Sequence, residues 1–205
     1  RNQMPELKPY ERLAIAYADK DIAGMLALLL MLDSKLLEVL RKGQEPLLAQ
    51  MRIVWWREQF GKSVSDRARG EPLLQQLSEA EANKPELRIG HHATQLAEGW
   101  EILAAAGDDA EQQDWETHSR LRASAIFGAY AEWQDASEQN KQKAIESGYD
   151  WATSISGRRY SRKFAPSGMK PLDLLALGAR LDNETSTLKR ISGASRLALL
   201  TLTGL

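Results

Sequence analysis

Valine occupies three of the 205 positions, Val39, Val54 and Val64, whereas alanine, leucine, glutamate and arginine are abundant. Because β-branched residues favour strands and the abundant residues favour helices, this balance predicts an all-α fold. Glycines stand where helices should end, and prolines stand just inside the positions where they should begin. These signals predict a long loop over 156–168 and helices over 9–18, 21–42, 45–61, 71–83, 86–106, 110–134, 137–155, 170–181 and 186–202.

Length and composition favour a single domain spanning residues 1–205. With 43% hydrophobic residues, a chain of this size can bury one substantial core. Short connections between long helices predict antiparallel neighbours packed as a bundle. The longest apolar run, 22–32, is about half of the roughly 20 residues that span a bilayer, so no transmembrane span is expected.

Charge and cysteine content narrow the function classes. The net charge of −1 gives no overall field that would attract a nucleic acid, so we expect no nucleic-acid partner. The chain has no cysteine, which excludes disulfides, thiolate metal sites and thiol catalysis. This composition fits a cytoplasmic protein, with a peripheral association with a membrane left open.

The helix expected over 45–61 carries an uncommon pair of adjacent tryptophans flanked by arginines. Leu48, Met51 and Trp55 share one face of this helix, with Leu47 and Val54 at its edge. Arg52 and Trp56 lie four residues apart on a neighbouring stripe, where a guanidinium could stack on an indole.

The string from Met51 to Glu58, reading MRIVWWRE, resembles the squalene/phytoene synthase family. The likeness is to the divergent branch that includes a mitochondrial complex I assembly factor. It extends to the helix around Asp33, to Gly99–Glu101 and to the segment 171–177. The resemblance implies a helical bundle of the isoprenoid synthase type and, for active members, the condensation of two prenyl diphosphates with Mg²⁺.

Active members of that family hold magnesium with pairs of aspartates four residues apart on facing helices. Here the only acidic pair with that spacing is Glu146 and Asp150, so both are weak metal candidates. Asp33 and Glu38 are five residues apart and point about 140° away from each other around a helix. We therefore expect no cofactor, and Mg²⁺ only if the chain is an active enzyme.

The candidate residues form two groups, and each has a simpler structural interpretation. A ligand-binding or cavity-rim role is assigned to Asp33, Arg52, Trp55, Trp56, Arg57, Glu98 and Glu101. Contact with an acidic partner or anion is assigned to Arg158, Arg159, Arg162 and Lys163. The simpler interpretations are surface ion pairs with glutamates such as Glu58, tryptophans that fill the core, and a solvated basic loop. The three histidines are expected on the surface or in hydrogen-bonded core positions.

Two functions of different classes follow, and a third possibility is a helical interaction module that resembles the family only in fold and has no cavity. The first is a catalytically degenerate, synthase-like protein that binds a prenyl lipid or a membrane-complex protein and acts in respiratory-complex assembly. The second is an active Mg²⁺-dependent prenyl transferase of isoprenoid biosynthesis that uses dispersed acids, Asp33, Glu98, Glu101, Glu146 and Asp150. Whether the chain is an enzyme is left open by the sequence.

Overall fold

A computed structural model describes residues 5–42, 45–153 and 163–182. Every regular element within these ranges is helical, which confirms the all-α prediction. The α-helices are α1 (Pro9–Ala16), α2 (Ala23–Lys42), α3 (Pro46–Gly61), α4 (Pro72–Asn83), α5 (Ile89–Ala106), α6 (Gln112–Ala123), α7 (Ala129–Trp133), α8 (Glu138–Ser147), α9 (Tyr149–Ala152) and α10 (Lys170–Asp182).

Proline and glycine mark helix ends as the sequence predicts. Proline lies in the first turn of α1, α3 and α4, where its missing N–H has no helical partner to lose. At the other end, α5 stops at Gly107, whose φ of +56° suits a residue without a Cβ. The helix predicted over 186–202 lies outside the described residues.

Two predicted helices differ from the structure. The one over 110–134 contains a π-helical segment, Ser124–Gly128, between α6 and α7. The prediction of one helix over 137–155 is wrong, because α8 ends at Ser147 and the separate helix α9 follows. The break falls at Gly148, where a Cβ would lie 2.7 Å from the ring of Phe127. The break between α8 and α9 thus lies at the residue that packs closely against this ring.

Helix α5 lies at the centre of the packing and contacts α2, α3 and α6. Its close approach to α6 depends on Gly99, where a Cβ would lie 3.2 Å from the Cβ of Leu121. On the far side, α1 packs against α2 and α10, and α9 packs against α6 and α10. This arrangement brings side chains from α2, α5, α6 and α9 to one buried point.

Within the described part of the chain, no helix combines the length and apolar character needed to cross a bilayer.

Candidate functional site

The carboxylate of Asp33 is buried in the apolar middle of α2 and is held by two other helices. Arg122 on α6 donates from Nε to Oδ1 at 2.8 Å and from Nη2 to Oδ2 at 2.6 Å. Trp100 on α5 donates from Nε1 to Oδ1 at 2.8 Å. The side chains of the ion pair are only 5% and 4% exposed. Because a buried charge needs such partners, these bonds make Asp33 compatible with its position.

The guanidinium of Arg122 is enclosed on its remaining sides. Its Nη1 donates to the carbonyl of Ala152 on α9 at 2.7 Å. Its Cζ lies 3.9 Å from the ring centroid of Trp151 and 5.2 Å from that of Trp100, both cation–π contacts. We call Asp33, Trp100, Arg122 and Trp151 the central cluster. It joins four helices through one arginine.

His118 lies beside the central cluster and is fully buried. Its ring meets that of Trp100 edge to face, with centroids 4.7 Å apart. Its Nδ1 lies 2.9 Å from the carbonyl oxygen of Gly99, and since a carbonyl only accepts, Nδ1 carries the proton. Burial lowers the pKa of His118 to about 4, and the charge of Arg122 acts in the same direction. His118 is therefore neutral at pH 7.

The expectation for the histidines needs one correction. His91 is exposed, whereas His92 and His118 are buried. Within the described ranges, neither ring nitrogen of His92 and not Nε2 of His118 has a hydrogen-bond partner. Burial also lowers the pKa of His92 to about 4. The two buried histidines therefore lack the full hydrogen bonding that was expected. Their burial is tolerated because the neutral form of the imidazole is less costly to bury than the charged form.

Glu11 couples α1 electrostatically to the central cluster. Its side chain is buried, and Oε2 accepts from the backbone N–H of Lys8 at 2.7 Å. Burial raises the pKa of Glu11, the bond from Lys8 opposes this rise, and the charge of Asp33 adds to it.

The tryptophan pair of α3 divides between the core and the surface. Trp56 is buried and packs against Phe60, with ring centroids 5.5 Å apart. Trp55 is 39% exposed, and Arg52 is also exposed. Arg57 forms an ion pair from Nη1 to Oε2 of Glu101 on α5 at 2.7 Å. The structure thus brings two candidate rim residues together, Arg57 and Glu101.

The remaining candidates lie elsewhere. Glu98 is exposed on α5. Lys163 donates from Nζ to Oε2 of Glu146 at 2.7 Å, and this bond is the main reason that the pKa of Glu146 is lowered. The side chain of Asp150 and the predicted contact residues Arg158, Arg159 and Arg162 lie outside the described part of the structure.

These residues do not fit a magnesium site. Three of the candidate carboxylates, those of Asp33, Glu101 and Glu146, each face an arginine or lysine of the same chain. Over 5–42, 45–153 and 163–182, no three histidine, aspartate or glutamate side chains are grouped so that they could hold a metal ion. Each of these acids is therefore already paired with a cationic side chain of the same chain.

A cleft of about 220 Å³ lies between the end of α2, the start of α3 and the end of α5. It is smaller than the roughly 300–1,000 Å³ typical of pockets for small molecules. A second cleft, of about 360 Å³, lies beside Arg67, whose guanidinium binds Glu81 at 2.5 Å. The first cleft is lined by Leu40, Pro46, Ala49, Leu103, Ala104, Gly107, Asp108, Ala110 and Trp115. None of the candidate rim residues lines either of these two clefts.

Comparison of the chain with protein-family models, with curated proteins and with solved structures gave no match.

Sequence reasoning missed Arg122, His118 and Trp151. One signal was available, since Asp33 directly follows the apolar run 22–32, and an acid buried there requires a buried partner. The identity of that partner was hidden, because Arg122 is 89 residues away in the chain. Its neighbour Arg120 is exposed, and spacing alone does not separate the two arginines.

Proposed function

We propose that this chain is a catalytically degenerate protein of the squalene/phytoene synthase type that acts by binding, as an assembly protein for a respiratory membrane complex. The isoprenoid synthase fold and this role are inferred from the sequence resemblance.

One observation carries the proposal. Asp33 is the acid that the resemblance would place near magnesium, and its two oxygens are bound by Arg122 and Trp100. A diphosphate–magnesium complex at this point would have to displace a buried arginine. Removing one partner of such a pair costs about 3–5 kcal/mol, so the arrangement favours a structural centre over a catalytic one.

The alternative is an active prenyl transferase in which the dispersed acids hold Mg²⁺. It would require Asp33, Glu101 and Glu146 to release their present cations when substrate binds. The two functions therefore differ in whether magnesium changes how the protein binds a prenyl diphosphate.

Calorimetric titration with farnesyl thiodiphosphate, with and without excess Mg²⁺, separates them. The assembly proposal predicts no magnesium-dependent binding; heat released without Mg²⁺ would indicate a retained lipid-binding role. Binding that requires Mg²⁺, together with saturating turnover of farnesyl diphosphate, would overturn the proposal.

A second experiment tests the assembly role in cells. The gene is deleted in the source organism, and assembled respiratory complex is measured on native gels after complementation. The doubly substituted Glu146→Ala, Asp150→Ala chain lacks the only acidic pair with the metal-binding spacing, and it should restore assembly as wild type does. Normal complex levels in the deletion strain would contradict the assembly role.

A further inference from the structure

The second cleft lies between α4 and the chain that follows α3. The short 3₁₀ turn Val64–Asp66 and the residues after it contribute one wall, and α4 contributes the other. The volume of about 360 Å³ lies within the roughly 300–1,000 Å³ typical of pockets for small molecules. Val64, Ala68 and Leu74 give these walls apolar surface, and the other lining residues are polar or charged.

The guanidinium of Arg67 lies at the wall of this cleft and retains a donor. Its side chain is 3% exposed and pairs with Glu81, which offsets its charge. Nε donates to the carbonyl of Gln59 and Nη2 to that of Phe60, both at 3.0 Å. Nη1 carries two N–H groups, and in the described part of the chain its single acceptor is Ser78 Oγ at 3.2 Å. Because Ser78 also lines the cleft, the second N–H of Nη1 can donate to a ligand there.

Two opposite charges line the cleft without pairing with each other. Arg69, in the segment after α3, and Glu79, on α4, are both exposed. Over the described ranges, neither side chain forms an ion pair or a hydrogen bond, and nor does the amide of Gln75, one helical turn before Glu79. A ligand with one sign of charge would be attracted by one of the two charged residues and repelled by the other. A ligand that carries both charges can pair with both.

We propose that this cleft binds a free α-amino acid with an apolar side chain. Arg69 holds the carboxylate, since the planar fork of a guanidinium matches carboxylate geometry, and Nη1 of Arg67 adds a further donor. Glu79 holds the ammonium group, and the apolar side chain of the ligand lies against Val64 and Leu74. The proposal does not depend on the proposed function.

Titration with L-leucine, L-valine, L-methionine and L-phenylalanine up to millimolar concentration, followed by ligand-observed NMR, is the first test. At least one should bind saturably. Analogues of the tightest ligand that lack one charge should bind at least about tenfold more weakly, because each leaves Arg69 or Glu79 unpaired. For leucine these analogues are 4-methylpentanoate and isopentylamine. Absence of saturable binding by all four amino acids, or equal binding of the amino acid and either analogue, would overturn the proposal.

Two substitutions test which residue holds which charge. Arg69→Gln should weaken binding of the amino acid at least about tenfold without weakening that of the amine analogue. Glu79→Gln should weaken binding of the amino acid to a similar extent without weakening that of the carboxylate analogue. Both side chains are exposed, so both variants should fold as wild type does, which circular dichroism verifies.

Arg120→Gln and Glu116→Gln are the matched controls, because they make the same changes of charge at exposed positions on α6, outside the cleft. Both should bind the amino acid as wild type does. Equal weakening by these controls, or weakening of the opposite analogue in each cleft variant, would contradict the assignment.

Glycine tests the apolar walls, because it carries both charges and no side chain. It should bind more weakly than the tightest of the four amino acids, and Val64→Ser should narrow that difference. Glycine that binds as tightly as that amino acid would contradict the preference for an apolar side chain.

Discussion

Among the described residues, two arginine–carboxylate pairs involve candidate site residues, and the two pairs differ in burial. Arg122 and Asp33 are 5% and 4% exposed and are bonded through two nitrogens. Arg57 and Glu101 are 36% and 23% exposed and joined by one contact at 2.7 Å. Water can replace the partners of the second pair, whereas nothing replaces those of the first. Burial, more than the chemistry of the pair, decides which one the fold depends on.

The largest effect is expected from Asp33→Ala. This change leaves the charge of Arg122 buried without its carboxylate, so the free energy of unfolding should fall by about 3–5 kcal/mol. Urea denaturation followed by circular dichroism measures the loss. A loss below about 1 kcal/mol would place this pair in the same class as an exposed one.

The combined change Asp33→Leu with Arg122→Met is the control for that experiment. It removes both charges and retains apolar volume, so it should be less destabilising than Asp33→Ala alone. If the double variant loses as much as the two single changes together, the pair contributes no coupling.

The second-largest effect is a dependence of folding stability on pH, which arises from the buried side chain of His118. The pKa of His118 is lowered to about 4 in the folded protein and lies near 6.5 when unfolded. The unfolded chain therefore binds more protons in this window, and as the pH drops from about 6.5 to 4 His118 alone should lower stability by up to about 3 kcal/mol. His92, whose pKa is also lowered to about 4, contributes in the same direction. His118→Asn cannot titrate and should reduce this slope. His91→Asn, at an exposed position on α5, should change the slope less, and equal slopes in both variants would contradict the assignment.

The third effect isolates one bond of the central cluster. Trp100→Phe keeps most of the ring but removes the N–H that donates to Asp33 at 2.8 Å. A hydrogen bond to a charged group contributes about 1.5–3 kcal/mol. The loss in the free energy of unfolding should therefore be smaller than in Asp33→Ala and larger than in Arg57→Ala or Glu101→Ala. Trp133→Phe is the comparison, because Trp133, which is partly buried, donates from Nε1 to the neutral carbonyl of Leu87. A greater loss of stability in Trp133→Phe than in Trp100→Phe would contradict the expectation that the bond to the charged Asp33 contributes more than the bond to a neutral carbonyl.

The sequence predicts much of this fold because helix boundaries depend on local signals. Pro46, Pro72 and Gly107 act through their own backbone geometry, and the structure places helix ends at or next to each of them. The break at Gly148 coincides instead with close packing against the ring of Phe127, 21 residues earlier, and no local pattern predicts that contact.

The candidate site was less predictable for the same reason. Periodicity grouped Leu48, Met51 and Trp55 correctly on one face of α3. It could not show which face the bundle covers, because smaller or more mixed residues such as Ala49 and Gln59 line the buried one. Asp33 was singled out from a resemblance, but its partner was fixed by packing between helices that are distant in the chain.

The smallest effect is expected from the exposed pair. Arg57→Ala and Glu101→Ala should each change the free energy of unfolding by less than about 1 kcal/mol, because solvent screens the charge that remains. The loss should shrink further in 1 M salt, where the screening length is about 3 Å, whereas the loss in Asp33→Ala should be nearly independent of salt. Thermal and urea unfolding at low and high salt provide both values. If Glu101→Ala is as destabilising as Asp33→Ala and equally insensitive to salt, burial does not decide how much each pair contributes. The ion pair of Arg57 with Glu101 would then hold α3 against α5 as strongly as the buried pair holds its helices.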